Sequence, residues 1–353
     1  MRFKYILNFA VATMLLLLVA CSNGDGTSST TVEKSSVDSS VDESKSKLVV
    51  LATTPMIGEL VKQVADDSIE VNILMSYAVD PHSFEPSPQD VKKIEEADLV
   101  FYTGLKYESV NLLKLLQNSV QSQELLVELA ARINPIEFTE DDHDEHGNED
   151  MHDDHDDEDM HDDHNEHGNE GEHVGHDHGI YDPHFWFDPT RVALAVGEIK
   201  EELIKLDPEN KNSYELSANS YVEKLKDLDK QIEALIQTIP DKNRHIVTTH
   251  ESLGYLESRY GLEVLVTIIP SVTTEDGVTP KGLVEVIEEI KEHKIKVIFL
   301  ESESPSKSAE IIAKETNASL VSGLWVETLK ENQSYIDFLT TNVSLIVENL
   351  KDK

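Results

Sequence analysis

The segment "HIVTTHESLGYLESRYGLEVLVTII", residues 245–269, decides the fold of this chain. Its two ends, 245–250 and 263–269, are rich in β-branched and other apolar residues, which is typical of buried strands. The residues between them, 252–260, have the spacing of a helix. A strand, a helix and a second strand in direct succession predict a βαβ unit, whose two strands are parallel neighbours.

The same alternation continues on both sides of this segment. Strands are predicted at residues 47–54, 69–75, 98–104, 124–130, 296–301 and 318–322, and helices at residues 55–66, 88–97, 108–120, 279–293, 306–316 and 332–350. Two longer helical runs, 189–205 and 210–238, separate the two groups of strands. The sequence therefore predicts an α/β fold with two βα lobes, each with a mostly parallel sheet, at residues 47–188 and 239–353. A helical connector at residues 189–238 joins them.

The first 46 residues predict export and attachment to a membrane. Residues 1–20 combine early basic residues with the apolar run "ILNFAVATMLLLLVA", which is the pattern of a signal peptide. Cys21 ends the sequence "LVAC", which resembles a lipoprotein box in which the cysteine is lipidated. Residues 21–46 then form a predicted flexible tether to the folded part. Because Cys21 is the only cysteine, an intramolecular disulfide and a cysteine metal site are excluded.

The charge of the chain is extreme and local. The formal net charge is -39, and residues 140–178 contain 19 Asp and Glu, ten His and no Lys or Arg. A chain of this charge does not favour nucleic acid, which needs clustered basic residues. The insert repeats "EHGNE" and "DMHDDH", in which methionine is the only large apolar residue, so it is predicted to be disordered and to bind metal weakly. Its ligands would be His143, His146, His152, His155, His161, His164, His167, His173, His176 and His178.

Two matching turns supply better candidates for a tight site. "DPHSFEPSP" begins at Asp80 and "DPHFWFDPT" at Asp182, and each places a histidine after Asp-Pro and before a capped helix. Proline restricts the residue before it, so His82 and His184 are predicted to lie on rigid loops. His250 ends a predicted strand, where ligands bind in open α/β sheets.

An ion held by these three histidines needs a fourth ligand. Zinc takes imidazole nitrogen and carboxylate oxygen when thiolates are absent, so the fourth ligand is expected to be acidic. Glu301 follows a predicted strand and Glu327 lies in a loop after the last strand. Sequence spacing alone does not decide whether Glu301 or Glu327 is the fourth ligand.

At this point the chain resembles the cluster A-I substrate-binding lipoproteins of bacterial ABC transporters for zinc and manganese. The resemblance covers residues 47–350 and rests on "DPHSFEPSPQDVKKIEEADLVFYTG", "DPHFWFDPTRV", "IVTTHESLGYLESRYGL" and "YIDFLTTNV". It implies two α/β lobes with a metal cleft between them. It also implies the ligands His82, His184, His250 and Glu327, with Glu301 in a supporting role.

The resemblance further implies what the chain binds and what it works with. The manganese-binding members of this family look as if they carry a carboxylate as the third metal ligand. His250 stands there instead, which favours Zn²⁺ over Mn²⁺ as the cargo. The implied partners are an ABC permease and its ATPase, with the membrane reached through lipidated Cys21. A monomer is expected.

Two other functions are alternatives to transport. A zinc hydrolase would need a base such as Glu251, beside His250, but the sequence has no His-Glu-x-x-His pair, and no catalytic residue is predicted. A surface adhesin or a metal buffer would make the insert the principal activity. Transport-linked binding of zinc is the function predicted here.

Overall fold

The structure is a computed structural model that describes residues 47–138, 181–304 and 306–352. The predicted signal peptide, the predicted lipidation site Cys21, the predicted tether and the histidines of the insert lie outside the described residues. Among the residues described, no helix combines the length and the apolar composition that a membrane span requires.

The first lobe contains a four-stranded parallel sheet. Its strands are β1 (Leu48–Ala52), β2 (Ile69–Ile73), β3 (Leu99–Tyr102) and β4 (Leu126–Glu128), in the order β2-β1-β3-β4. The helices of this lobe are α1 (Pro55–Val64), α2 (Pro88–Glu95) and α3 (Val110–Ser119). Strand β4 is shorter than predicted because short 3₁₀ turns flank it on both sides. The carboxyl ends of β1 and β3 point to the same edge of the sheet, and Tyr107, in the segment after β3, packs against His82 at this edge.

Two helices connect the lobes. They are α4 (Pro189–Leu206) and α5 (Lys211–Ile236). Helix α4 begins sharply because the Asp188 carboxylate accepts the Thr190 amide at 2.8 Å and because Pro189 occupies the first helical position. His184 lies five residues before this helix, so the helix start limits where its loop can go.

The second lobe repeats the parallel design. Its strands are β5 (His245–His250), β6 (Glu263–Ile269), β7 (Val297–Glu301) and β8 (Ser319–Leu324), and its helices are α6 (Gly254–Tyr260), α7 (Pro280–Glu292), α8 (Lys307–Thr316) and α9 (Tyr335–Leu350). β5 pairs with β6 and β7 with β8, both in parallel, and β5 lies beside β7. Helix α9 starts at Tyr335, three residues later than predicted, because the Ser334 hydroxyl caps it through the Asp337 amide. The predicted two-lobe α/β fold is confirmed.

The two lobes share one apolar core. Helix α1 of the first lobe contacts α5 of the connector and α9 of the second lobe. Leu60, Leu228 and Leu339, one from each of these helices, are fully or almost fully buried in a single cluster. Burial of a leucine side chain contributes about 1.5–3 kcal/mol, so this cluster holds the lobes in place.

Candidate metal centre

His82 follows β2 in the Asp-Pro-His turn. The Asp80 carboxylate accepts the backbone N–H of His82 at 3.0 Å. Its second oxygen accepts the hydroxyl of Thr274, in the second lobe, at 2.6 Å. The imidazole of His82 packs edge-on against the ring of Tyr107, with the centroids 5.0 Å apart. The turn thus fixes His82 from its own lobe and from the opposite one.

His184 is held by the aspartate of its own Asp-Pro-His turn. Asp182 Oδ1 accepts the backbone N–H of His184 at 2.8 Å and lies 2.8 Å from its Nδ1. A hydrogen bond at Nδ1 leaves Nε2 free to bind an ion, which is the usual second-layer arrangement around metal-binding histidines. His184 is fully buried. Its ring lies edge-on to Trp186 at 5.5 Å.

His250 ends β5 and is oriented by Glu301 from β7. The Nδ1 atom of His250 lies 2.7 Å from Glu301 Oε2, and Glu301 Oε1 accepts the His250 backbone N–H at 3.1 Å. Both side chains are fully buried. Glu301, the alternative fourth ligand, therefore binds the outer nitrogen of a histidine and leaves Nε2 of that histidine pointing inward.

Glu327 lies three residues after β8, in a loop that the first lobe helps to hold. Tyr107 donates its hydroxyl to the Glu327 carbonyl at 2.8 Å, and Trp186 Nε1 donates to the Val326 carbonyl at 2.8 Å. The carboxylate of Glu327 is fully buried. Residues from both lobes therefore bring this carboxylate to the cleft.

The three imidazoles meet at the Glu327 carboxylate. Glu327 Oε1 lies 2.8 Å from Nε2 of His250, 3.4 Å from Nε2 of His82 and 3.5 Å from Nε2 of His184. One ligand atom from each of the four residues lies within 4.8 Å of every other. A tetrahedral zinc ion with bonds of about 2.0–2.1 Å has ligand atoms about 3.3–3.4 Å apart, so this spacing fits such an ion.

The polar atoms at this centre also point to an ion. The three Nε2 atoms and both Glu327 oxygens are buried and make no hydrogen bond of normal geometry within the described residues. Buried polar atoms without such a bond are rare in folded proteins. A cation bound between them would account for all of these atoms.

The electrostatics of the centre couple the four side chains. Burial raises the pKa of Glu327, but the three imidazoles outweigh burial and hold this pKa well below the usual range of a carboxyl group. Burial lowers the pKa of His184, but the carboxylates of Glu327 and Asp182 have the larger, opposite effect and raise this pKa to about 9. Glu301 and Glu327 likewise raise the pKa of His250 well above its usual value against the effect of burial. The Glu327 carboxylate and the imidazoles of His184 and His250 therefore favour one another's charged forms.

Glu251 lies outside this group although it is next to His250 in the chain. Its carboxylate accepts the hydroxyl of Thr267 at 2.8 Å, and burial raises its pKa to about 7. The supporting residues Asp80, Tyr107 and Asp182 were not predicted as such from the sequence. The two aspartates stand directly before Pro-His in both turns, which is a signal that could have identified them.

Comparison with known proteins identifies the family. Residues 50–349 match the family described as zinc-uptake complex component A, periplasmic (ZnuA). The chain belongs to the ZnuA family. Members are extracytoplasmic metal-binding components of ABC transporters and are not enzymes, which confirms the resemblance stated above and the expectation that this chain has no catalytic activity.

The curated relatives of this ZnuA-family chain are named for two metals. It is 30% identical over 349 residues to the high-affinity zinc uptake system protein ZnuA of Bacillus subtilis strain 168, covering 97% of this chain and 96% of the relative. It is 28% identical over 323 residues to the manganese ABC transporter substrate-binding lipoprotein ScaA of Streptococcus gordonii, covering 90% and 93%. The names of these relatives therefore share a role with a metal, but they differ in the metal, which is zinc in one and manganese in the other.

Solved structures show the same fold. The periplasmic zinc-binding protein TroA of Treponema pallidum superposes with a TM-score of 0.69 at 23% identity, over 86% of this chain and 99% of that one. The manganese-bound periplasmic metal-binding protein of Candidatus Liberibacter asiaticus superposes with a TM-score of 0.67 at 26% identity, over 86% and 100%.

Proposed function

We propose that this ZnuA-family chain captures Zn²⁺ outside the cytoplasm and delivers it to an ABC permease for uptake. The observation that carries this proposal is the convergence of three buried imidazole Nε2 atoms on one buried carboxylate. His82, His184, His250 and Glu327 are the proposed ligands. The first two come from the first lobe and the other two from the second.

The donor set favours zinc over manganese. Imidazole nitrogen suits zinc, whereas manganese, a harder ion, prefers carboxylate, carbonyl and water oxygens. Four ligands at tetrahedral spacing also suit zinc, because Mn²⁺ is usually octahedral. Glu327 is the only oxygen donor among the four proposed ligands, so the centre offers manganese little of what it prefers.

A competition titration tests the cargo. With the full chain and a chelating indicator, we expect zinc to bind at least about 100-fold more tightly than manganese, in line with the general order of affinity for these ions. Equal or tighter binding of manganese would contradict the proposed cargo and would leave the four-ligand centre in place as a manganese site.

The chain would work at the membrane surface. Cys21, the only cysteine, is proposed to carry the lipid, and the relatives named as lipoproteins support this. The proposed partners are a permease and its ATPase, and the chain would dock to them as a monomer. Mass spectrometry of the mature protein checks the anchor, since an unmodified cysteine at position 21 would exclude it.

The insert is proposed to gather zinc near the centre. Glu137 and Tyr181, on either side of it, pair in an antiparallel bridge, and the Asp182 amide donates to the Ile136 carbonyl at 3.1 Å. The described residues that flank the insert therefore lie together beside Asp182, which holds His184. Its ten histidines would raise the local concentration of zinc through weak, exchangeable contacts.

Deletion of the insert separates these two kinds of binding. A chain without residues 140–178 should keep one tight zinc site, with its Kd changed by less than about threefold, and should lose weaker sites. The bridge between Glu137 and Tyr181 makes the deletion feasible, since the two ends already lie together. Equilibrium dialysis with metal analysis counts the sites, and loss of the tight site would place it in the insert.

A further inference from the structure

Glu303 holds the loop that carries Glu327. Its Oε1 accepts three consecutive backbone N–H groups, from Val326 at 3.1 Å, Glu327 at 3.1 Å and Thr328 at 3.2 Å. Its Oε2 lies 3.4 Å from the Val326 nitrogen. A carboxylate that accepts several amides forms charge-assisted hydrogen bonds, which are about twice as strong as neutral ones.

We propose that Glu303 is a positioning residue that sets the place of the Glu327 carboxylate in the metal centre. This inference rests on the proposed function, because it assigns Glu303 a part in the affinity of the same zinc site. Tyr107 and Trp186 hold the carbonyl groups of this loop from the first lobe. Glu303 holds its amide groups from the second lobe, so the loop is fixed from both sides.

The location of Glu303 would be unfavourable without such a role. It places a second carboxylate close to Glu327, and like charges in a partly buried region repel each other strongly. The three amides offset part of this cost. Glu301 and Glu303 stand two residues apart at the end of β7, and they orient His250 and the Glu327 loop respectively. One short segment thus arranges two of the four proposed ligands.

Three substitutions separate positioning from charge. Glu303→Ala removes the acceptor and should raise the zinc Kd about 10- to 100-fold, the usual effect of removing a group that orients a ligand. Glu303→Asp keeps the charge but is one carbon shorter, so it should lose most of this affinity as well. Glu303→Gln keeps an oxygen at the same reach and should stay within about fivefold of the native Kd.

Asp98→Ala is the matched control. The Asp98 carboxylate accepts the Val49 amide at 2.8 Å at the start of β1, the opposite end of the sheet from the cleft. The Asp98→Ala substitution should lower the melting temperature without changing the zinc Kd. The visible absorption spectrum of the Co²⁺-loaded protein gives a second readout, since a displaced Glu327 changes the four-coordinate geometry. The cobalt spectrum should change in the Ala and Asp variants of Glu303. It should stay like that of the native chain in the Gln variant and in Asp98→Ala.

The outcomes are distinct. An unchanged Kd and cobalt spectrum in Glu303→Ala, with tight zinc binding by the native chain, would overturn the role of Glu303 and leave the proposed function standing. If Glu303→Ala does not fold, equal zinc affinities of the Glu303→Asp and Glu303→Gln variants would overturn the positioning role of Glu303 instead. Failure of the native chain to bind zinc tightly would overturn the proposed function itself.

Discussion

Replacing His184 with alanine should weaken zinc binding by about 1,000-fold or more. The substitution removes one of four proposed ligands and leaves the Glu327 and Asp182 carboxylates buried without their imidazole partner. A four-ligand protein site binds zinc with about 10–16 kcal/mol, so one ligand contributes on the order of 4 kcal/mol, which corresponds to a factor of about 1,000 in Kd. Titration against a competing chelator measures the change. The fluorescence of Trp186, 5.5 Å from this ring, offers a second signal in the native chain.

His293→Ala is the control for this substitution. His293 lies at the end of α7, exposed to solvent, with its Nε2 3.5 Å from Glu289. Its removal should leave the tight Kd unchanged. A loss of less than about tenfold in His184→Ala, by contrast, would remove His184 from the ligand set.

Zinc affinity should rise steeply with pH. The carboxylates around His184 raise its pKa to about 9, and those around His250 raise its pKa well above its usual value. At pH 7 both imidazoles therefore carry protons, which zinc must displace to reach Nε2. Loss of about two protons per ion lowers the Kd about 100-fold per pH unit, and the dependence weakens once the pH passes about 9. Calorimetry in buffers with different heats of ionisation counts the protons, and release of fewer than one per ion would contradict this protonation state.

The same protons have the opposite consequence for folding of the metal-free chain. The pKa of His184 in the folded protein, about 9, lies above the value of about 6.5 in an unfolded chain. Its contribution to the free energy of unfolding is therefore complete below about pH 6.5 and is lost as the pH rises through 9. The melting temperature of the metal-free protein should fall over this window, and bound zinc should reduce the fall.

The lobes could be predicted because their signals are local. Alternating apolar runs and capped helices such as α4, with Asp188 and Pro189 at its start, specify strands and helices within a few residues. The Asp-Pro-His turns are equally local, and they identified His82 and His184 as candidates. The structure places both beside His250.

The choice between Glu301 and Glu327 could not be made from spacing. It depends on which strand end lies next to His250, and this follows from packing between distant parts of the chain. Glu301 reaches Nδ1 of His250 across 51 residues. Glu303 gave no sequence signal as a positioning residue, because its partners are backbone amides 23 to 25 residues later, which any residue type can provide.

The core that runs through both lobes limits how an ion can leave. Leu60, Leu228 and Leu339 are packed in one cluster, and a wide hinge opening would separate them. Exposing all three would cost more than about 5 kcal/mol, which makes a wide-open state rare at room temperature. We therefore expect zinc to exchange through small displacements of the ligand-bearing turns while the lobes keep their relative orientation. The permease would then need to pull on a few short loops rather than to swing a domain.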